Sequence, residues 1–229
     1  MKQLKKLVIV VFAVFFLQYN ANAGLLDGAS SLLGSGGDST FNIDESMGLQ
    51  NQVLSDYLIG SAEFNKALVI IMDAYNLKDE SSKLKAQQKF LDGWDIESSG
   101  FNDNMKEVAV LHKDSIGVIK GKISSGAVLD EAGKAKLATA YPPFFSGLIK
   151  TGLAVKTGID TFKSIKDEGM KNPLILGKFV GLATIAGEVG TSLPMMIETS
   201  SLLMKYGKDN GIEIPAEAKK QQADLSGMF

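Results

Sequence analysis

Cysteine and arginine are both absent from the 229 residues, and histidine and tryptophan occur once each. Without cysteine there is no disulfide, no thiolate nucleophile and no cysteine-ligated zinc, so stability rests on packing. Without arginine the chain lacks the planar fork that grips phosphates and base edges. Every basic residue is a lysine, and acids outnumber them, giving a net charge of −2. An acidic chain of this kind is not expected to bind nucleic acid or an anionic lipid surface. A lone histidine, His112, leaves almost no nucleophile–base pair to assemble. No Gly-x-Ser-x-Gly elbow, phosphate-binding loop or dinucleotide fingerprint occurs. The sequence assigns no catalytic residue, no metal ligand, no cofactor and no definite ligand-binding residue.

What is present begins with an export signal. Lys2, Lys5 and Lys6 precede an unbroken apolar run from Leu7 to Leu17, which is 11 residues long. A spanning helix needs about 20. The run turns polar and ends in Ala21-Asn22-Ala23, whose small residues suit a signal peptidase cutting before Gly24. Residues 1–23 therefore read as a cleavable signal peptide, and a periplasmic or secreted location in a bacterial envelope follows. Removing 23 of 229 residues leaves 206, enough for a sizeable core, and takes the net charge from −2 to −5.

Residues 24–41 (GLLDGASSLLGSGGDSTF) are rich in glycine and serine and read as a flexible leader. The remainder, 42–229, reads as one helical-bundle domain. A helix opens at Asn42 or Asp44, with acids in its first turn, and runs to about Asn76. Met47, Leu54, Tyr57, Ser61, Phe64, Leu68, Ile71 and Tyr75 recur at three- and four-residue spacing, which stacks them on one face. A charged helix from Lys78 to Leu91 ends at Asp92-Gly93, and a polar loop holding Trp94 follows. The next helix spans Asn102 to Ile123, burying Met105, Val108, Ile116 and Ile119, and stops at Ser124-Ser125-Gly126.

A further helix from Asp130 is predicted to end at Tyr141-Pro142-Pro143, because prolines remove donors and disfavour helical geometry in the residue before them. A new one then carries Phe145, Leu148, Gly152, Val155, Ile159 and Phe162 in register to Lys166. Asn172-Pro173 starts the last long helix, kinked at Pro194 and ending near Tyr206. Ile214-Pro215 leads into a short terminal helix. No internal repeat and almost no alternating strand pattern occurs. The fold class is all-α: an antiparallel multi-helix bundle of about five to six helices after signal removal.

Three constellations merit weighing. His112 falls on the apolar face of its helix, four residues from both Val108 and Ile116, which suits an interface histidine better than a base. Asp95 to Asp103 partly resembles a calcium loop, with oxygens at positions 1, 3, 5 and 9 and Gly100 at the turn. Lys106 stands where the closing glutamate is required, so the segment reads as an acidic loop in which Asn102 or Asp103 caps the following helix. Leu174 to Ile197 is long enough to span a bilayer but carries Lys178 and Glu188. It reads as a buried central helix whose glycines 177, 181, 187 and 190 admit a close neighbour, expected to be the Phe144–Lys166 helix.

The function expected from these residues is a non-enzymatic binding or interaction module, holding an apolar small molecule, a lipid or an envelope protein between or on its helices. The alternative is a membrane-active protein that inserts the 144–206 hairpin. An enzyme working through His112 or a carboxylate pair ranks third.

Overall fold

The computed structural model describes residues 42–169 and 177–228, apart from the side chains of 166–169 and 188. The expected signal peptide 1–23, the expected leader 24–41, the expected helix start at Asn172-Pro173, the Glu188 side chain and Phe229 lie outside the described residues.

Helix α1 (Ile43–Ala74) starts where Asn42 Oδ1 accepts from the backbone N–H groups of Asp44 and Glu45, at 3.1 and 3.3 Å. Those two acids then lie against the positive end of the helix dipole. Its end is equally local. Asn76 takes a left-handed φ of 56°, and Leu77 N–H donates back to Met72 O at 2.9 Å. Asparagine tolerates that conformation, so the chain reverses within three residues. Helix α2 (Lys78–Asp92) runs antiparallel to α1, with Lys85 on Asp73 and Lys66 on Asp92.

Helix α3 (Phe101–Ser124) ends the same way at Gly126, φ 69°, with Ala127 N–H returning to Lys122 O at 3.1 Å. Asp130 then opens helix α4 (Glu131–Gly169), its Oδ1 accepting from Gly133 N–H at 2.7 Å.

Helix α4 does not stop at the prolines. It continues through Pro142 and Pro143 to Gly169, and Tyr141 stays helical. Each proline costs about 3 kcal/mol in a helix interior. Phe144, Phe145 and Leu148 are fully buried just beyond them, and each such burial contributes roughly 1.5–3 kcal/mol. Tyr141 is buried as well, stacks on Phe145, and donates its hydroxyl to Leu203 O at 2.9 Å. Breaking the helix at 141 would dismantle all of this. Packing overrides the local preference.

The seam between α1 and α4 is the spine of the bundle. Gly60 faces Thr151, Gly147 faces Phe64 and Gly158 faces Val53, an antiparallel register in which paired residue numbers sum to a constant. A Cβ on Gly147 would strike Phe64 N and lie 2.9 Å from Gly60 O; one on Gly60 would lie 2.6 Å from Thr151 N. The two backbones therefore touch, and only glycine fits at both places.

The run Gly177–Asp209 is one interrupted helix: a 3-10 turn (Gly177–Phe179), α5 (Val180–Thr184), a π-helical turn (Ile185–Val189) and α6 (Gly190–Asp209). The widened turn immediately precedes Gly190, whose carbonyl Pro194 leaves without its usual donor. The departure from α geometry thus falls one turn ahead of the proline. Helix α7 (Ala216–Met228) closes the chain. Counting Gly177–Asp209 as one, the described residues form six helices and no strand, an all-α bundle. Their buried apolar residues make one continuous cluster from Val53 to Leu225.

The glycines of the last long helix sit differently from expectation. Nothing lies near Gly177 or Gly187, and the neighbour of Gly181 is Leu54 of α1, 3.0 Å from a Cβ placed there. The Phe144–Lys166 part of α4 instead approaches at Gly190, through Ile159 and Val155. Gly181→Leu is accordingly expected to overpack Leu54 and destabilise the protein by about 1–3 kcal/mol in a urea titration. Gly187→Ala in the same assay should not destabilise it.

Candidate functional site

Two features stand out from ordinary packing: a polar knot inside the core and an open groove on the surface. The knot centres on Asn65, which α1 carries beside Phe64 and buries completely. Asn65 Nδ2 donates to Leu84 O at 2.9 Å and to Gln88 Oε1 at 2.7 Å, tying α1 to α2. Both its hydrogens are thereby committed, leaving Oδ1 as an acceptor 3.2 Å from His112 Nε2. That arrangement places the ring proton on Nε2, donating to Asn65. The edge of the imidazole packs against Phe64, centroids 5.3 Å apart.

His112 is therefore in the core rather than at the rim of a helix interface. Burial pushes its pKa down to about 3. At neutral pH the ring is uncharged and joins α3 to α1 as a hydrogen-bond donor. No carboxylate is its hydrogen-bond partner among the described residues. The network was missed in the sequence because Asn65 and Gln88 look like ordinary flanking polar residues.

Tyr57 and Ser61 add a second buried polar pair on α1. Burial pushes the Tyr57 hydroxyl up to about 12; Ser61 is near enough to oppose that slightly but not to form a hydrogen bond. A buried hydroxyl without a partner costs about 1–3 kcal/mol. Tyr57→Phe is expected to leave stability unchanged or raise it by about 1 kcal/mol, readable in a urea titration. A loss above that amount would show that the hydroxyl holds something essential.

On the surface beside the glycine crossing, Ser146 Oγ donates to Glu63 Oε2 at 2.6 Å, and Lys150 pairs with Glu63 Oε1. Burial acts to raise the Glu63 pKa, but the donors from Lys150 and Ser146 outweigh it and hold the carboxyl below its usual range. The trio spans α1 and α4 and acts as a clasp on their seam.

The candidate ligands Asp95, Glu97, Ser99 and Asp103 of the acidic loop are all exposed. Asp95 Oδ1 accepts from Glu97 N–H at 3.0 Å, and Lys106 reaches Asp103 at 3.5 Å. Neither Asn102 nor Asp103 caps α3. The cap is Gly100, without a side-chain bond, and Asn104 Nδ2 donates to Gly100 O at 2.9 Å instead. Helix α3 starts one residue earlier than expected, which moves both candidates into its first turn. Among the described residues no cluster of three or more histidine or acidic side chains is placed to hold a metal ion.

The groove lies between α2 and α3 and holds about 460 Å³, open to solvent. Val110, Leu111 and Val118 make its floor, and Glu80, Lys83 and Lys106 stand on its rim. Val110 is 51% exposed, one of four large apolar residues so uncovered among the described residues. Helix α3 thus buries His112 on one face and presents Val110 on the other.

Fold and surface together define a cysteine-free helical bundle with a hydrogen-bonded polar core and an apolar-floored groove. No family model, curated protein or solved structure matches the chain.

Proposed function

We propose that the protein is exported to the bacterial envelope and works as a non-enzymatic docking module. The observation that carries this reading is the open groove between α2 and α3, whose apolar floor is ringed by charges of both signs. Apolar floors with polar rims are how helical surfaces hold partners. The mixed rim suits a protein surface better than an anionic membrane. The one histidine stays neutral and is engaged with Asn65, which argues against base chemistry there.

A membrane-active reading rests on one fact. Among the described residues, Gly177–Asp209 is long and apolar enough to cross a bilayer, its most apolar 18-residue stretch having a mean hydropathy of 1.3. About half of its most apolar stretch, 53%, is already covered by the rest of the bundle, so insertion would first require tearing the core open. Docking remains the stronger reading.

Two measurements test it. N-terminal sequencing of the protein from the envelope fraction is expected to start at Gly24; an intact Met1 would contradict export by a cleaved signal. Native mass spectrometry of the same material is expected to show an additional bound mass, lost in Val110→Asp/Val118→Asp. A bare monomer from the wild type would overturn the docking reading.

A further inference from the structure

We infer that Asn210-Gly211 is a self-modification site that the fold guards. Unfolding releases it to lose ammonia and become aspartate or isoaspartate, so that an unfolding episode marks the chain permanently. This stands apart from the docking reading.

The chemistry is intrinsic to the dipeptide, which occurs once in the sequence. The backbone nitrogen of Gly211, on giving up its proton, attacks Cγ of Asn210. The Cγ–Nδ2 bond breaks, ammonia leaves, and a succinimide ring closes. Water then opens the ring at either carbonyl, giving aspartate or an isoaspartate whose main chain runs through Cγ. Glycine has no side chain to obstruct the attack, and its backbone freedom lets the ring close.

The exit of α6 is the reason for a glycine here. Gly211 holds φ 67°, in the left-handed region. Around it the chain closes a Schellman turn: Ile212 N–H donates to Gly207 O at 2.8 Å, and Gly211 N–H to Lys208 O at 3.3 Å. Asn210, the residue capping α6, donates Nδ2 to Tyr206 O at 2.9 Å.

Both reacting groups are therefore occupied in the folded chain. The attacking nitrogen keeps its proton in a hydrogen bond, and the amide is held back over the last turn of α6. The turn is also anchored. Ile212 and Ile214 are buried, and Gly207 lies so near the Tyr141 hydroxyl that a Cβ there would collide with it. Conversion must wait for this exit to open, and its rate follows the open population.

The product does not fit back. A carboxylate at 210 has no N–H for Tyr206 O, and it adds negative charge beside the exposed Asp209 at the negative end of the α6 dipole. Isoaspartate also lengthens the main chain by one methylene between position 210 and Gly211. The bonds to Gly207 O and Lys208 O then fall out of register.

Incubating the purified protein in warm, mildly alkaline buffer, with and without denaturing guanidinium, tests the inference by peptide mapping. Cleavage after lysine releases residues 209–219, in which Asn210 is the only side-chain amide. Its conversion is expected to run about tenfold or more faster in guanidinium than in native buffer. In the denatured chain it should also outrun every other asparagine. Once the denaturant is removed, converted chains should refold with a lower urea midpoint than chains denatured only briefly. Asn210→Gln, whose longer side chain closes the ring poorly, should pass through the same incubation with its midpoint unchanged. Asn210→Asp should show a lowered midpoint with no incubation at all.

Equal conversion rates in the two buffers would overturn the guarding by the fold. Faster conversion at another asparagine, or converted chains with the midpoint of unconverted ones, would overturn the marking. So would an equal loss in Asn210→Gln, which would place the damage elsewhere in the chain.

Discussion

Gly147→Leu is expected to be the most damaging single substitution in the bundle, costing more than about 3 kcal/mol and leaving little folded protein at 37 °C. A Cβ at 147 would collide with Phe64 N and lie 2.7 Å from Phe64 Cα. Those are backbone atoms of a rigid helix, so no rotamer change relieves the contact. The only relief is to separate α1 from α4, which uncovers Leu68, Phe144 and Phe145 and strains the Glu63–Lys150 clasp. Gly121→Ala supplies the opposite case. Gly121 is exposed on α3 with nothing near it. Removing a mid-helix glycine there should stabilise by about 0.5–1 kcal/mol. Urea titrations of the two variants read the difference directly. Comparable destabilisation by both would show that glycine matters here for chain flexibility and not for close approach.

Acid is expected to weaken the protein well before its carboxylates titrate. His112 is the sole histidine, and its pKa falls from 6.5 to about 3 on folding because burial disfavours the charged ring. The unfolded chain therefore binds a proton that the folded one refuses. This contribution to stability is complete above the unfolded value, near pH 6.5. It is lost as the pH falls towards 3, at about 1.4 kcal/mol per unit and on the order of 4–5 kcal/mol in all. Glu63, Asp73 and Asp92 also have depressed values. Their contributions are present above about pH 4.5 and disappear below it. The interval from pH 6.5 to 5 isolates the histidine, with about 2 kcal/mol at stake. His112→Gln should be less stable at pH 8, having lost its fit between Asn65 and Phe64, yet show little slope across that interval. A wild-type stability flat from pH 7 to 5 would contradict the buried neutral ring.

Much of the architecture was legible because its causes are local. Asn42 and Asp130 have side chains that cap helices, Gly126 supplies a left-handed exit, and the three–four spacing on α1 gathers Leu54, Phe64, Leu68 and Ile71 on the buried face. The failures come from contacts between distant residues. Pro142 and Pro143 stop a helix in isolation; only the packing of Tyr141 against α6 and of Phe144 against Phe64 keeps this one running. The glycines that looked significant were those in the apolar run at 177–190. The close backbone approaches instead fall at Gly60, against Thr151, and at Gly147, against Phe64, each unremarkable in its own window. Asn65 and His112 are 47 residues apart, so neither signals the other.

The proposed docking face on α3 is tested most directly by a photo-crosslinking residue placed at Val110 in cells producing the protein, with the same residue at the exposed Lys219 of α7 as the comparison. Irradiation is expected to yield a discrete adduct from position 110 and none from 219. No adduct from position 110, or the same adducts from both positions, would contradict a docking face on α3.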